Sequence, residues 1–169
     1  PQNIPGGEIY QALEKGTIDA AEWVGPYDDQ KLGFYKVAPF YHYPGWWEGG
    51  PQLDLYINNK AYDSLSAENK AIVEAAASHA HTVMQARYDA RNPEALKQLV
   101  AAKTKLVVFP KAVLDLAFKE SMALYSELSA KNPNWKKVYA DYSNFRRESN
   151  LWFRFTEARF DSYMQGQKL

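Results

Sequence analysis

Eight of the nine glycines and six of the nine prolines fall within the first 51 residues, and the only glycine after Pro51 is Gly166. These two residue types punctuate regular structure, so the asymmetry requires a turn-rich first third followed by long segments that are overwhelmingly helical. It predicts an α/β, helix-rich chain with a few short strands and a very long C-terminal helix. The 169 residues are 46% apolar, too hydrophobic for disorder, and suit one domain of ordinary size. Twenty basic residues balance twenty acidic ones, which leaves no electrostatic footprint for nucleic acid or an acidic membrane. With no cysteine, disulfides, thiolate metal sites and a cysteine nucleophile are excluded. The N-terminus, Pro1-Gln2-Asn3-Ile4-Pro5, has neither a basic nor an apolar leader region and suggests a processed or truncated chain.

Along the chain, Glu8 to Gly16 predicts a short helix with Ile9, Ala12 and Leu13 on one face and Gly16 as its stop. Thr17–Val24 reads as a short buried strand whose end carries Glu22 and Trp23. Tyr27–Leu32 reads as a helical turn, Val37–Tyr43 as a second strand, and Gln52–Asn58, by its alternation, as a third. Ser66 caps a helix running to Arg91, roughly 40 Å long at 1.5 Å per residue. Asn92-Pro93-Glu94 then offers a fresh cap, a proline at the first helical position and an acid, so a separate helix is expected from there to near Lys103. Lys105–Phe109 reads as a strand and Val113–Lys131 as a helix. Asn132-Pro133 opens the final helix, unbroken to Gly166 and roughly 45 Å long. Its aromatic positions, among them Trp135, Tyr139, Phe145, Trp152, Phe155, Phe160 and Tyr163, recur mostly every three or four residues, so it is expected to bridge two lobes or pack on a partner chain. Three regions result: 1–65 with the loops, 66–131 helical with one strand near 105–109, and 132–169 the long helix.

The residues best placed for chemistry are Glu22-Trp23 and Trp46-Trp47-Glu48, because each group sits where an expected strand gives way to a Gly/Pro loop. The plainest reading makes the tryptophans core or loop anchors and Glu22 a solvated strand end. Three functional readings compete with it. Glu22 and Glu48 could form a glycosidase pair, Trp46 and Trp47 a sugar-stacking platform, or the two glutamates could be hard oxygen ligands for sodium or calcium bridging an anionic ligand. His79 and His81 are two apart and do not face each other on a helix, which makes them surface histidines rather than a metal pair. Asp28-Asp29 complements a helix N-terminus. No phosphate-cradling glycine loop, nucleophile elbow or H-E-x-x-H occurs, and all six arginines lie on expected helices, away from the acidic loops.

The run Gly6-Gly7-Glu8-Ile9-Tyr10-Gln11-Ala12-Leu13-Glu14-Lys15-Gly16-Thr17-Ile18-Asp19-Ala20-Ala21-Glu22-Trp23-Val24-Gly25-Pro26 and the block Phe40-Tyr41-His42-Tyr43-Pro44-Gly45-Trp46-Trp47-Glu48-Gly49-Gly50 closely resemble the substrate-binding subunits of tripartite ATP-independent periplasmic (TRAP) transporters, the DctP family. The subgroup resembled binds 2-oxo or 2-hydroxy monocarboxylates such as pyruvate and lactate, and the likeness covers the C-terminal half of such a protein. The resemblance implies part of a two-lobed periplasmic binding protein fold, without catalysis, that closes on its ligand by hinge motion. It also implies a periplasmic location and delivery of the solute to the transporter's membrane subunits. Within the site it implies a sodium or calcium ion beside the substrate carboxylate, held by Glu22, the backbone carbonyl of Trp23, and Glu48, with Glu22, Trp23 and Trp47 toward the substrate. The family's carboxylate-binding arginine and a glutamine ligand are expected upstream of Pro1, in the missing N-terminal half, and the long final helix resembles one exchanged between the subunits of a homodimer. The alternative is a carbohydrate-active domain, a hydrolase using Glu22 and Glu48 or a sugar binder using Trp46 and Trp47.

Overall fold

Gly6–Glu14 forms helix α1, with Ile9 and Leu13 one turn apart on its buried face. Gly16 stops it in the left-handed region at φ 68°, where Thr17 N–H reaches back to the Ala12 carbonyl. Pro26–Leu32 forms α2, with proline at its first position and Gly33 left-handed at its end. A 3-10 turn at Phe34–Lys36 leads into strand β1, Phe40–Tyr43. Asn58 caps the short α3, Asn59–Asp63, and Ser66 caps α4, Ala67–Ala101. Strand β2, Lys105–Val108, follows; α5 spans Lys111–Lys131, α6 Pro133–Phe155 and α7 Glu157–Gln165. This computed structural model describes residues 1–167.

The chain divides into two compact units, Pro1–Pro110 and the residues from Lys111 onward. In the first, β1 and β2 pair in parallel from Phe40 opposite Lys105 to Tyr43 opposite Val108. A parallel pair needs a long crossover, and α4 lies in it. The core is small: Ile9, Leu13 and Phe34 pack with the half-buried Ile4, Tyr10, Ile18, Val37 and Ala38, and Ala95 and Leu99 are buried on α4. Helix α2 lies against α4 and is fastened to it by polar groups. Tyr88 Oη donates to Asp28 Oδ2 at 2.7 Å, Arg91 donates to the Tyr27 hydroxyl, and the Tyr27 and Tyr88 rings meet edge to face at 6.2 Å.

In the second unit α6 folds back along the end of α5. Asn132 Oδ1 accepts from the N–H groups of Asn134 and Trp135, and Tyr125 packs on Trp135 and Tyr139 at ring separations of 5.7 and 5.1 Å. Farther along, the aromatic face is open: Phe145, Trp152, Phe155, Phe160 and Tyr163 are all exposed, Phe155 at 79%. Among the described residues no helix is long and apolar enough to cross a membrane.

The helix-rich α/β class matches expectation, as do the helices at 8–16, 27–32 and 113–131 and the strand at 105–109. Four local expectations do not hold. Thr17–Val24 is irregular and mostly exposed rather than a buried strand, because no neighbouring strand takes up its backbone groups. Gln52–Asn58 alternates in sequence, yet every one of its residues is exposed and unpaired in a sheet. Helix α4 does not stop at Arg91 but continues through Pro93, which sits inside it. Asn92 is engaged elsewhere: its Oδ1 accepts the N–H of Tyr27 at 3.1 Å, capping α2 across the helix pair rather than opening a new helix. The final helix, finally, is broken at Thr156, whose φ and ψ of −97° and −97° leave the helical region.

Candidate functional site

Glu22 and Trp23 ride on the irregular segment between α1 and α2, and Trp46, Trp47 and Glu48 on the loop that leaves β1. Both loops are exposed, and each has one close contact at a glycine. A Cβ at Gly45 would come within 3.1 Å of the Glu48 carbonyl, so the turn carrying the tryptophan pair closes on a position that only glycine fits easily. A Cβ at Gly6 would overlap the Trp23 ring, so the start of α1 is the floor on which Trp23 lies. Gly6→Ala should therefore displace that ring at a cost of about 1–3 kcal/mol. Gly7→Ala meets nothing within 4 Å and should stabilise α1 by up to about 1 kcal/mol. Denaturant titration followed by tryptophan fluorescence checks both, and equal effects at the two positions would contradict the packing.

The structure brings the two acidic segments together. The Glu22 carboxyl is held above its ordinary range, first by burial and then by the negative charge of Glu48, while the Trp47 indole N–H on its other side favours the charged form. A carboxylate raised by a neighbouring negative charge is a place where a cation is favourable. Carboxylate and carbonyl oxygens are also the hard donors that sodium and calcium take. The residues therefore fit such an ion, although among the described residues no three His, Asp or Glu side chains converge on one point. Two carboxylates from this chain would need carbonyl, water or further ligands to complete the shell.

Trp46 and Trp47 meet edge to face, 5.4 Å apart at 85°, and so do not form the flat platform on which a sugar ring would stack. His79 and His81 lie exposed on α4, away from both loops in sequence, and His42 packs its ring at 5.2 Å from Phe109. All six arginines are on α4, α6 and α7.

Sequence reasoning takes Asp28-Asp29 together as charges at a helix start and misses the burial of Asp29. Its neighbour Asp28 is tied to Tyr88, but Asp29 is turned inward, 7% exposed, and accepts the Tyr41 hydroxyl at 2.5 Å on Oδ2. Burial raises its carboxyl above the ordinary value of 3.8, and the Tyr41 hydroxyl and nearby N–H groups of Gly25 and Val24 offset this only in part. The same burial, with the Asp29 charge beside it, pushes the Tyr41 phenol upward. A doublet of acids at a helix start signals dipole complementation. Nothing in the doublet says which member will be buried.

Because the folded value for Asp29 lies above the unfolded one, its contribution favours folding most below the ordinary carboxylate value and is lost as pH rises through the raised value. The stability of the wild-type protein relative to Asp29→Asn should accordingly decline across that window. Urea midpoints measured at several pH values check the sign, and a difference that grows with pH would contradict it.

The family model for bacterial extracellular solute-binding proteins, family 7 (DctP), matches residues 1–132. The chain is 45% identical over 162 residues to the monocarboxylate 2-oxoacid-binding periplasmic protein of Nostoc sp., covering 96% of this chain and 44% of that one. It superimposes with a TM-score of 0.90, at 48% identity, on a TRAP transporter solute-binding protein from Bordetella bronchiseptica, a mixed-occupancy dimer with copurified calcium and picolinate in one active site; the match covers 97% of this chain and 49% of that one. A TRAP periplasmic solute-binding protein from Pseudoalteromonas atlantica with bound sodium and pyruvate also matches at a TM-score of 0.90, with 34% identity over 99% of this chain and 50% of that one. The chain thus spans about half the length of the relatives it matches.

Proposed function

Because the chain belongs to the bacterial extracellular solute-binding proteins of family 7, the DctP family, we propose that it contributes the cation-bearing part of a periplasmic protein that captures a small 2-oxo or 2-hydroxy carboxylate, such as pyruvate or lactate, for a TRAP transporter's membrane subunits. The observation that carries this reading is the approach of the two acidic loops: the partly desolvated Glu22 carboxyl feels the negative charge of Glu48 and lies beside the Trp47 indole. Relatives crystallised with calcium and picolinate, or with sodium and pyruvate, support the ligand class.

In this reading Glu22, the Trp23 carbonyl and Glu48 hold a sodium or calcium ion, and Trp23 and Trp47 border the carboxylate. The ion supplies the positive charge that lets an anion approach an acidic pocket. The positive ion offsets the burial and repulsion that raise Glu22, and the tryptophan rings exclude water from one side. A direct guanidinium anchor for the carboxylate is assigned to the part of the protein outside residues 1–169, since this chain's arginines lie on α4, α6 and α7. No residue is assigned a catalytic role.

The exposed aromatic face of α6 and α7 is the proposed seat of a second copy, a reading its apolar area supports, and the Bordetella relative is itself a dimer. A carbohydrate-active reading has no comparable support, given the perpendicular tryptophans. A thermal-shift panel on the intact protein tests the proposal. Pyruvate or lactate at one hundred times Kd should add about 2.7 kcal/mol of stability. A neutral hexose should add none, and stabilisation by the hexose alone would refute the assignment.

A further inference from the structure

Behind Trp23 lies a cavity of about 70 Å³, bounded mainly by apolar side chains such as Leu13, Phe34, Phe40 and Leu99. Asp29 and Thr104 break that lining, as do the phenols Tyr35 and Tyr41. Asp29 and Thr104 are more than nine-tenths buried, at 7% and 8% exposure. Asp29 Oδ1 and Thr104 Oγ1 have no hydrogen-bond partner of ordinary geometry within the protein, the Gly25 and Val24 N–H groups standing near the Asp29 carboxylate without closing such a bond. Their other polar atoms are accounted for: Asp29 Oδ2 takes the Tyr41 hydroxyl, and Thr104 N–H bonds the Leu99 carbonyl at 3.0 Å. A buried oxygen left unpaired costs about 1–3 kcal/mol, and two such oxygens on one small cavity would be an unusual concentration of that cost.

We propose that this cavity is a water-binding site, in which an ordered water donates to Asp29 Oδ1 and exchanges a hydrogen bond with Thr104 Oγ1, making Asp29 and Thr104 positioning residues for the two loops of the cation site. The space is sufficient, since a water needs only about 10–15 Å³ of such volume together with two or more polar partners. Water suits the partners better than a metal ion does, because the lining offers a single carboxylate, with hydroxyls amid apolar walls. The connections give the site its consequence. Asp29 sits beside the N–H groups of Val24 and Gly25, directly after Glu22 and Trp23, and takes its hydroxyl bond from Tyr41, on the strand that leads to Trp46–Glu48. Thr104 precedes β2, the partner of that strand. A bridging water therefore fastens the junction from which both carboxylates project.

The positioning role rests on the cation reading above; the water site does not. The test combines a high-resolution crystal structure of the intact protein with calcium titrations of wild type, Thr104→Val and Thr104→Ser. Valine keeps the shape and removes the hydroxyl, whereas serine restores it. The structure should show one water within hydrogen-bond distance of both oxygens. Thr104→Val should lose roughly tenfold in calcium affinity, as loss of outer-shell support typically does, and Thr104→Ser should stay close to wild type. A dry cavity, or Oδ1 and Oγ1 bonded directly to each other, overturns the water site. Equal calcium affinity in Thr104→Val and wild type, or a Thr104→Ser protein as weak as Thr104→Val, overturns the positioning role. A wild type that holds the water but binds no calcium overturns the cation reading and the positioning role with it, and leaves the water site standing.

Discussion

Glu48→Gln in the intact protein should abolish most cation binding and carry carboxylate binding down with it, by roughly a hundredfold or more, since loss of mere outer-shell support already costs 10–100-fold. The two losses should be parallel if, as proposed, the anion is attracted by the ion rather than by the glutamates. A second consequence separates a binding role from a structural one. Glu48 raises the Glu22 carboxyl by repulsion, so removing its charge should relax Glu22 toward its ordinary range and leave the cation-free protein at least as stable as wild type. Glu22→Gln should show the same coupled loss. Isothermal titration with calcium and with pyruvate, alongside melting curves without either, reads all of this. Unchanged affinity in Glu48→Gln would remove that residue from the site.

Leu99→Ala should be the most damaging core substitution in the first unit. Leu99 is the most completely buried side chain of the described residues, 2% exposed, and it borders the cavity behind Trp23. Leucine-to-alanine changes at such sites cost about 3–5 kcal/mol. The existing void favours the upper end, because walls already bordering a space have less to collapse onto. Phe155→Ala is the contrast: with 79% of the residue exposed, its loss should change the stability of an isolated subunit by no more than about 0.5 kcal/mol. If a second copy covers that face, the wild-type midpoint should instead rise with protein concentration, and Phe155→Ala should weaken that dependence. Urea titrations at two concentrations check both. A Leu99→Ala protein within about 1 kcal/mol of wild type would mean that the core had been misread.

What was legible in the residues was what local chemistry decides. Gly16 and Gly33 stop helices because each must enter the left-handed region, and Ser66 and Asn132 start them through side-chain oxygens. The same two-residue signal gave opposite results at two places. Asn132-Pro133 opens a helix, but Asn92-Pro93 lies inside one, because the Asn92 carboxamide caps α2 and α4 runs on beneath it. No inspection of residues 90–95 alone could show that, since the deciding partner is Tyr27. Strands were harder for a related reason. Alternation at Gln52–Asn58 states which side chains could share a face, while a strand exists only where another backbone pairs with it.

The candidate site divides in the same way. Glu22-Trp23 and Trp46-Trp47-Glu48 stood out as acid and aromatic clusters at loop boundaries, and the fold brings Glu22, Trp47 and Glu48 within electrostatic reach of one another. Asp29, Tyr41 and Thr104 did not stand out. Each is an ordinary residue of its element, and it is tertiary burial that turns Asp29 inward to meet a hydroxyl from β1.

The central claim is that Glu22 and Glu48 bind a small carboxylate through a cation, and calorimetry of the intact protein with pyruvate tests it most directly, before and after removal of bound ions by chelation and dialysis. Pyruvate should bind when calcium or sodium is present, lose measurable affinity when both are removed, and regain it when either is restored. Equal pyruvate affinity with and without the cation would contradict the account.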